Sequence, residues 1–258
     1  MPEAANGRDD RMAGLRRQID ALARGGVARS PALPFGIAAL DAQLPGGGLR
    51  RGALHEVGEA GVSAEHAALA ALFAAAVLAR LHGSVLWCLR GRDLFAPALA
   101  GVGLCPDRII FAETGSETAV LPAMEEGLRA KGLAAVVGEV GRLGLTASRR
   151  LQLGAERSGV LVIAIRRHRL AVEREGAAAE PGAALTRWRV SPQPGTGPPL
   201  PGLPRARWLV ELTRARGADA PRSWILDAPD ATGRLRLPAE LADRPLAAAP
   251  PRARAGLG

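Results

Sequence analysis

The sequence contains no Tyr, only two Cys, and only four Trp and four Phe. Of its 34 basic residues one is Lys, Lys131, and the rest are Arg. With so few rings, the core must be assembled from Ala, Leu, Val and Ile, and an apolar fraction of 48% over 258 residues suffices for one sizeable α/β core. The Arg-for-Lys bias reads as the composition of a GC-rich genome and carries no Arg-specific binding code. Cys88 and Cys105 fall in an apolar strand-like run and in a loop, so two reduced thiols are expected and no disulfide. His55, His66, His82 and His168 have no spacing that closes a metal shell, so no metal site is expected. The longest apolar stretch, residues 67–81, is too short to span a bilayer. Mixed charge at Glu3, Arg8, Asp9, Asp10 and Arg11 excludes a secretory signal, and the expected location is the cytoplasm, with no membrane partner.

Met12, Leu15, Ile19 and Leu22 have helical spacing over residues 9–23, after which Gly25, Gly26 and Pro31 form a linker. Residues 34–52 read as a short helical turn and a Gly-rich loop, residues 53–57 as a strand, and residues 65–81 as an Ala-rich helix. Strands at 84–89, 108–111, 133–140 and 159–165 then alternate with helices at 93–100, 117–131 and 146–158. That alternation implies βαβ units and a parallel sheet flanked by helices. After Ile165 the pattern changes. Residues 184–190, 206–213 and 222–227 alternate apolar with polar side chains, as half-exposed strands of an antiparallel extension do. The organisation expected is an N-terminal helix and linker over 1–30, a core over 31–230, and a partly disordered tail over 231–258.

A strand, a Gly-containing turn and a helix at 53–81 have the geometry of a phosphate-binding loop of the form GxxxxGK[ST], in which Lys neutralises phosphates and Ser or Thr holds Mg²⁺. From Gly58 the sequence reads GEAGVSAE. Gly58 and Gly61 remain, but Ser63 stands where the second glycine of the motif belongs, Ala64 at the Lys position and Glu65 at the Ser/Thr position. Ser63 meets a backbone conformation suited to glycine, Ala64 supplies no cation, and Glu65 adds negative charge beside a triphosphate. The loop is expected to be vestigial, with no catalytic residue, no cofactor and no ATPase activity.

The segment FGIAALDAQLPGGGLRRGALHEVGEAG, followed by VLWCLRGRDL, DRIIFAETGSETAVLPAMEEGLRAKGLAAVVGEVGRL and RRLQLGAERSGVLVIAIRRH, resembles a RecA core over roughly residues 34–230. The resemblance implies a RecA-like α/β fold, mainly parallel, with an antiparallel C-terminal extension. Arg90 stands where that family delivers its water-activating acid, Glu139 lies near the Walker B Asp position, and Arg166-Arg167 replace a polar sensor. Within RecA-like proteins, the broken loop, the N-terminal helix and the strands TRWRV and ARWLVELTRARG are similar to the ImuA family, most of all in WLVELTRARGADAPRSWIL. That resemblance implies a non-catalytic adaptor in SOS-induced, mutagenic translesion synthesis. It implies an ImuB-like protein, an error-prone DnaE-type polymerase and RecA as partners, and leaves self-association open. Two other readings stay open: a DNA-dependent ATPase or recombinase paralogue with a variant loop, and a SulA-like cell-division inhibitor. Chain length and the basic strands after Ile165 argue against the last.

Fourteen Arg lie between Arg142 and Arg216 against five Glu, a surplus of nine that equals the net charge of the whole chain. Such concentration suits a phosphate backbone. Arg166, Arg167 and Arg169 would open a DNA-facing loop, and Arg187 and Arg189 would flank Trp188 as a stacking platform. The same text also describes a strand with Arg towards solvent and Trp in the core.

Overall fold

The computed structural model describes residues 31–61, 68–168, 180–194 and 206–238. The helix expected at 9–23, the loop positions Ser63, Ala64 and Glu65, Arg169 and the chain beyond 238 lie outside the described residues.

The chain enters through β1 (Ala32–Leu33), a single helical turn α1 (Ala38–Asp41) and β2 (Leu49–Arg50), with β1 and β2 paired antiparallel. Asp41 closes this entry: its carboxylate accepts from the backbone N–H groups of Phe35 at 2.6 Å, Gly36 at 2.9 Å and Ile37 at 3.2 Å. It fixes the backbone that leads into the helix and satisfies donors that would otherwise lack a partner. The glycine run Gly46-Gly47-Gly48 is needed for the return: the first two have φ of 84° and 76°, and a Cβ on Gly48 would lie 2.4 Å from the carbonyl oxygen of Leu33.

Eight further strands form one sheet. They are β3 (Leu54–Glu59), β4 (Ser84–Leu89), β5 (Ile109–Glu113), β6 (Leu133–Val140), β7 (Leu161–Arg166), β8 (Thr186–Gln193), β9 (Arg207–Ala215) and β10 (Arg222–Asp227). Their spatial order is β10-β9-β8-β3-β7-β6-β4-β5. All neighbours from β8 to β5 are parallel, while β8–β9 and β9–β10 are antiparallel. The expected α/β architecture is therefore present, with one correction. Residues 184–190 were expected to lie in the antiparallel extension, but β8 pairs parallel with β3, His55 opposite Thr186 and Val57 opposite Trp188. The antiparallel part starts only at β9. The alternation in TRWRV arises because β8 sends Trp188 and Val190 into one core layer while its arginines meet carboxylates on the opposite face.

Helices cover both faces. On one, α2 (Leu69–Ala79) and α3 (Ala96–Gly101) pack over Val57, Trp87, Ile163, Ile165 and Trp188. α2 is apolar almost all round because it is enclosed almost all round. On the other face α4 (Val120–Gly127) and α5 (Leu145–Ser158) pack over Leu54, Cys88, Val136, Val162 and Ala164. Met124 of α4 fits only because β6 has Gly138 there, where a Cβ would come within 2.1 Å of the Met124 sulfur. The helix expected over 117–131 is shorter, a 3₁₀ turn at Glu117–Ala119 and then α4. α5 stops at Gly159, whose φ of 72° is a left-handed cap.

Rings are few but concentrated. Trp188 has its ring centre 5.4 Å from Phe35, 5.9 Å from Phe73 and 6.4 Å from Trp224, and it is 1% exposed. It is a core residue, not a stacking platform. Leu235 is 6% exposed within the same core layer, so packing continues past residue 230.

Candidate functional site

The carboxyl ends of β3, β6 and β7 carry charged residues in positions where their neighbours are buried, and β8 brings Arg187 beside them from its amino end. β3 reads LHEVGE and is buried except at Gly58. Gly58 and Glu59 belong to the strand itself, so the loop that follows starts at Ala60. Because side chains alternate along a strand, Glu56 faces the α4/α5 layer and Glu59 faces the α2 layer. Burying a carboxylate in a central strand is expensive unless a cation meets it.

On the α4/α5 face the cation is double. Arg166 at the end of β7 sits 3.1 Å from Glu56 and 3.3 Å from Glu180, with side-chain exposures of 5%, 1% and 23%. Arg187, opposite Glu56 in the β3–β8 register, lies 3.2 Å from it. Arg166 also donates to the Gly141 carbonyl oxygen at 3.2 Å, and Arg187 to that of Glu180 at 3.2 Å. Arg142 reaches Glu180 from the solvent side at 3.4 Å.

On the α2 face Arg167 bridges two carboxylates, 3.1 Å from Glu59 and 3.0 Å from Glu139. The indole N–H of Trp87 donates to the other oxygen of Glu139 at 2.9 Å. Burial pushes the Glu59 carboxyl up to about 7, against the pull of Arg167 and with the help of neighbouring Glu139. Burial works against the charge of Arg167, yet Glu139 and Glu59 hold its pKa above the ordinary Arg value. Arg90, on the loop after β4, is exposed and turned to solvent.

Beneath these pairs lies a neutral relay. The Trp188 indole donates to the Thr186 hydroxyl at 2.7 Å, that hydroxyl lies 2.7 Å from His55 Nδ1, and His55 Nε2 lies 2.9 Å from the Arg50 carbonyl oxygen. Indole can only donate and carbonyl can only accept, so Thr186 donates to Nδ1 and the His55 proton sits on Nε2. Burial lowers the His55 pKa to about 4 and keeps it neutral.

The residues singled out in the sequence thus fall into different roles. Arg166, Arg167 and Arg187 come together with Glu56, Glu59, Glu139 and Glu180. Arg166 is 4% exposed, and its side chain lies inside the sheet rather than on a solvent-facing loop. Arg189 stands apart, in a two-point pair with Glu211 at 2.7 Å and 2.6 Å. Gly58 lies within β3, and Gly61 follows it as the last described residue before Ala68. The acidic members Glu56 and Glu59 and the His55–Thr186 contact escaped sequence reasoning, although a charge inside an otherwise apolar central strand is itself a signal that a buried partner exists. Among the described residues no group of three or more His, Cys, Asp or Glu is placed to hold a metal ion. No helix among them is long and apolar enough to cross a membrane.

A β-sheet with a charge-filled corner at its carboxyl edge is where an open α/β fold places its ligand site. Among the described residues, Arg166, Arg167 and Arg187 each already face a carboxylate. These three commit their charge to internal pairs that hold strand ends together, and Arg90 stands where the water-activating acid would be.

No protein-family model matches the chain. It is similar to Protein ImuA of Caulobacter vibrioides, from strains NA1000 / CB15N and ATCC 19089 / CIP 103742 / CB 15, 38% identical in each case over 230 residues. The matches take in 85% of this chain and 94% of the relative. Among solved structures, the RadB recombinase has a TM-score of 0.53 at 16% identity, covering 80% of this chain and 99% of that one, a likeness of fold alone.

Proposed function

The chain belongs to the ImuA family, and from that premise we propose that it is a non-catalytic accessory protein of DNA-damage-induced mutagenic translesion synthesis. In this reading it acts as an adaptor for an ImuB-like protein and an error-prone DnaE-type polymerase, with RecA as a further partner. The observation that carries the non-catalytic part is Arg167. It spans Glu59 and Glu139 across the corner where a RecA-like core would handle nucleotide, and its charge is spent on those two carboxylates. The loop positions Ser63, Ala64 and Glu65 support the same reading through their side-chain chemistry.

DNA contact through the arginines is the weaker proposal. Arg142, Arg150, Arg166, Arg167, Arg187, Arg189 and Arg207 each lie within ion-pair distance of a carboxylate. The basic surplus of the sequence therefore overstates the charge available to a phosphate backbone. The adaptor reading is tested by mixing the purified chain with an ImuB-like protein and the DnaE-type polymerase and following co-elution on size exclusion. A complex with either partner that forms equally well with and without ATP is the expected result. Complex formation that requires ATP hydrolysis would favour the ATPase reading.

A further inference from the structure

At the opposite edge of the sheet, where β6 and β7 begin, α4 and α5 diverge and leave a groove of about 730 Å³. Its apolar lining comes from Leu128, Leu133 and Val160, with Leu153 of α5 left 50% exposed beside it. Gly154 keeps this lining close: a Cβ there would stand 2.9 Å from Leu128 Cδ1. The rim is basic. Arg129, Lys131, Arg150 and Arg157 line the groove, and Glu125 is its one acidic lining residue, already 2.9 Å from Arg150. Lys131 and Arg157 are exposed and have no partner among the described residues. α5 ends at Ser158, so its terminal carbonyls account for Arg157 nearby. They account neither for the exposed Leu153 nor for Lys131, which follows α4 by four residues.

We propose that this groove docks a short acidic segment of a partner protein, which sets its carboxylates on Lys131 and Arg157 and inserts an apolar side chain against Leu153 and Leu133. The inference does not rest on the adaptor reading, because it uses a surface remote from the ion-paired corner. Charge complementarity selects an anion, since two cations face solvent without a counter-charge. The apolar lining selects a peptide over a nucleic-acid backbone, which would match the rim and leave exposed Leu153 and half-buried Leu133 uncovered.

The test uses the full chain and fluorescence anisotropy with three labelled probes. One is a short peptide with Glu and Asp flanking a Leu-Phe pair, the second has Ser in place of that pair, and the third is oligothymidine. The first peptide should bind best. Combined Lys131→Glu and Arg157→Glu should weaken it about tenfold or more, as should Leu153→Ser, whereas Arg222→Glu on distant β10 should leave it unchanged. All four substituted positions are exposed or half-exposed, and an unchanged melting temperature confirms that folding is intact. Failure of the first peptide to bind, an affinity indifferent to the double reversal, or oligothymidine binding that depends on the same two cations would each overturn the assignment.

Discussion

Removing the Glu56 charge is the sharpest perturbation the structure offers. Glu56→Gln keeps shape and volume but deprives Arg166 and Arg187 of their common carboxylate, whose side chain is 1% exposed. Breaking a buried pair from one side costs about 3–5 kcal/mol, because the remaining charge stays buried and unmatched. Arg166 keeps Glu180 at 3.3 Å and the Gly141 carbonyl at 3.2 Å. The lower figure, about 3 kcal/mol, is therefore expected. In a chain of this size that lowers the melting temperature by about 6–12 °C. Urea titration followed by Trp fluorescence measures it directly, since Trp87 and Trp188 are 0% and 1% exposed. Glu126→Gln is the internal comparison: its pair with Arg129 has side-chain exposures of 74% and 70%, and its loss should cost no more than about 0.5 kcal/mol. Adding Arg166→Met to Glu56→Gln should restore at least part of the loss, because the stranded cation goes with it. A cost below about 1 kcal/mol for Glu56→Gln, or a double variant no better than the single, would refute the buried-pair account.

Four further outcomes follow from the same geometry. Glu59 titrates near 7 when folded and 4.5 as the ordinary value, so its favourable contribution is complete below about pH 4.5 and is lost as pH rises through about 7. Glu59→Gln should then raise stability by about 1–2 kcal/mol at pH 8, discounted for solvent screening, and change little at pH 4.5. His55 has the opposite sign: with a folded pKa of about 4 against 6.5, its contribution is complete above pH 6.5 and falls away towards pH 4 by about 3 kcal/mol. His55→Gln should flatten that part of the urea-derived stability profile. Trp188→Ala should cost about 3–5 kcal/mol as a core truncation, while Arg189→Ala should stay within about 1 kcal/mol, both read from chemical denaturation.

The fold was largely readable because burial on both faces writes near-continuous apolar strands. LAAVVGEV coincides with β6, while RSWILD, which coincides with the edge strand β10, was readable by its alternation instead. The partner of β8 was not readable, since alternation reports that a strand has two different faces and not which strand lies beside it. TRWRV reads as half-exposed if its arginines face water, whereas Arg187 faces Glu56. The corner was half readable for the same reason. Arg166, Arg167 and Arg187 stood out by their charge, but Glu56 and Glu59 lie in a strand more than a hundred residues away, in a segment that looked like scaffold for a broken loop. Only the parallel register of β3 with β7 and β8 brings the two sets together.

The most direct test of the claim that this corner has exchanged nucleotide for internal ion pairs is a melting curve in saturating Mg–ATP. Ligand at one hundred times its dissociation constant stabilises a binding protein by about 2.7 kcal/mol, or about 5–10 °C in a chain of this size. The ion-paired corner predicts no shift. A saturable rise of several degrees that disappears when Gly61 is replaced by Asp would contradict it.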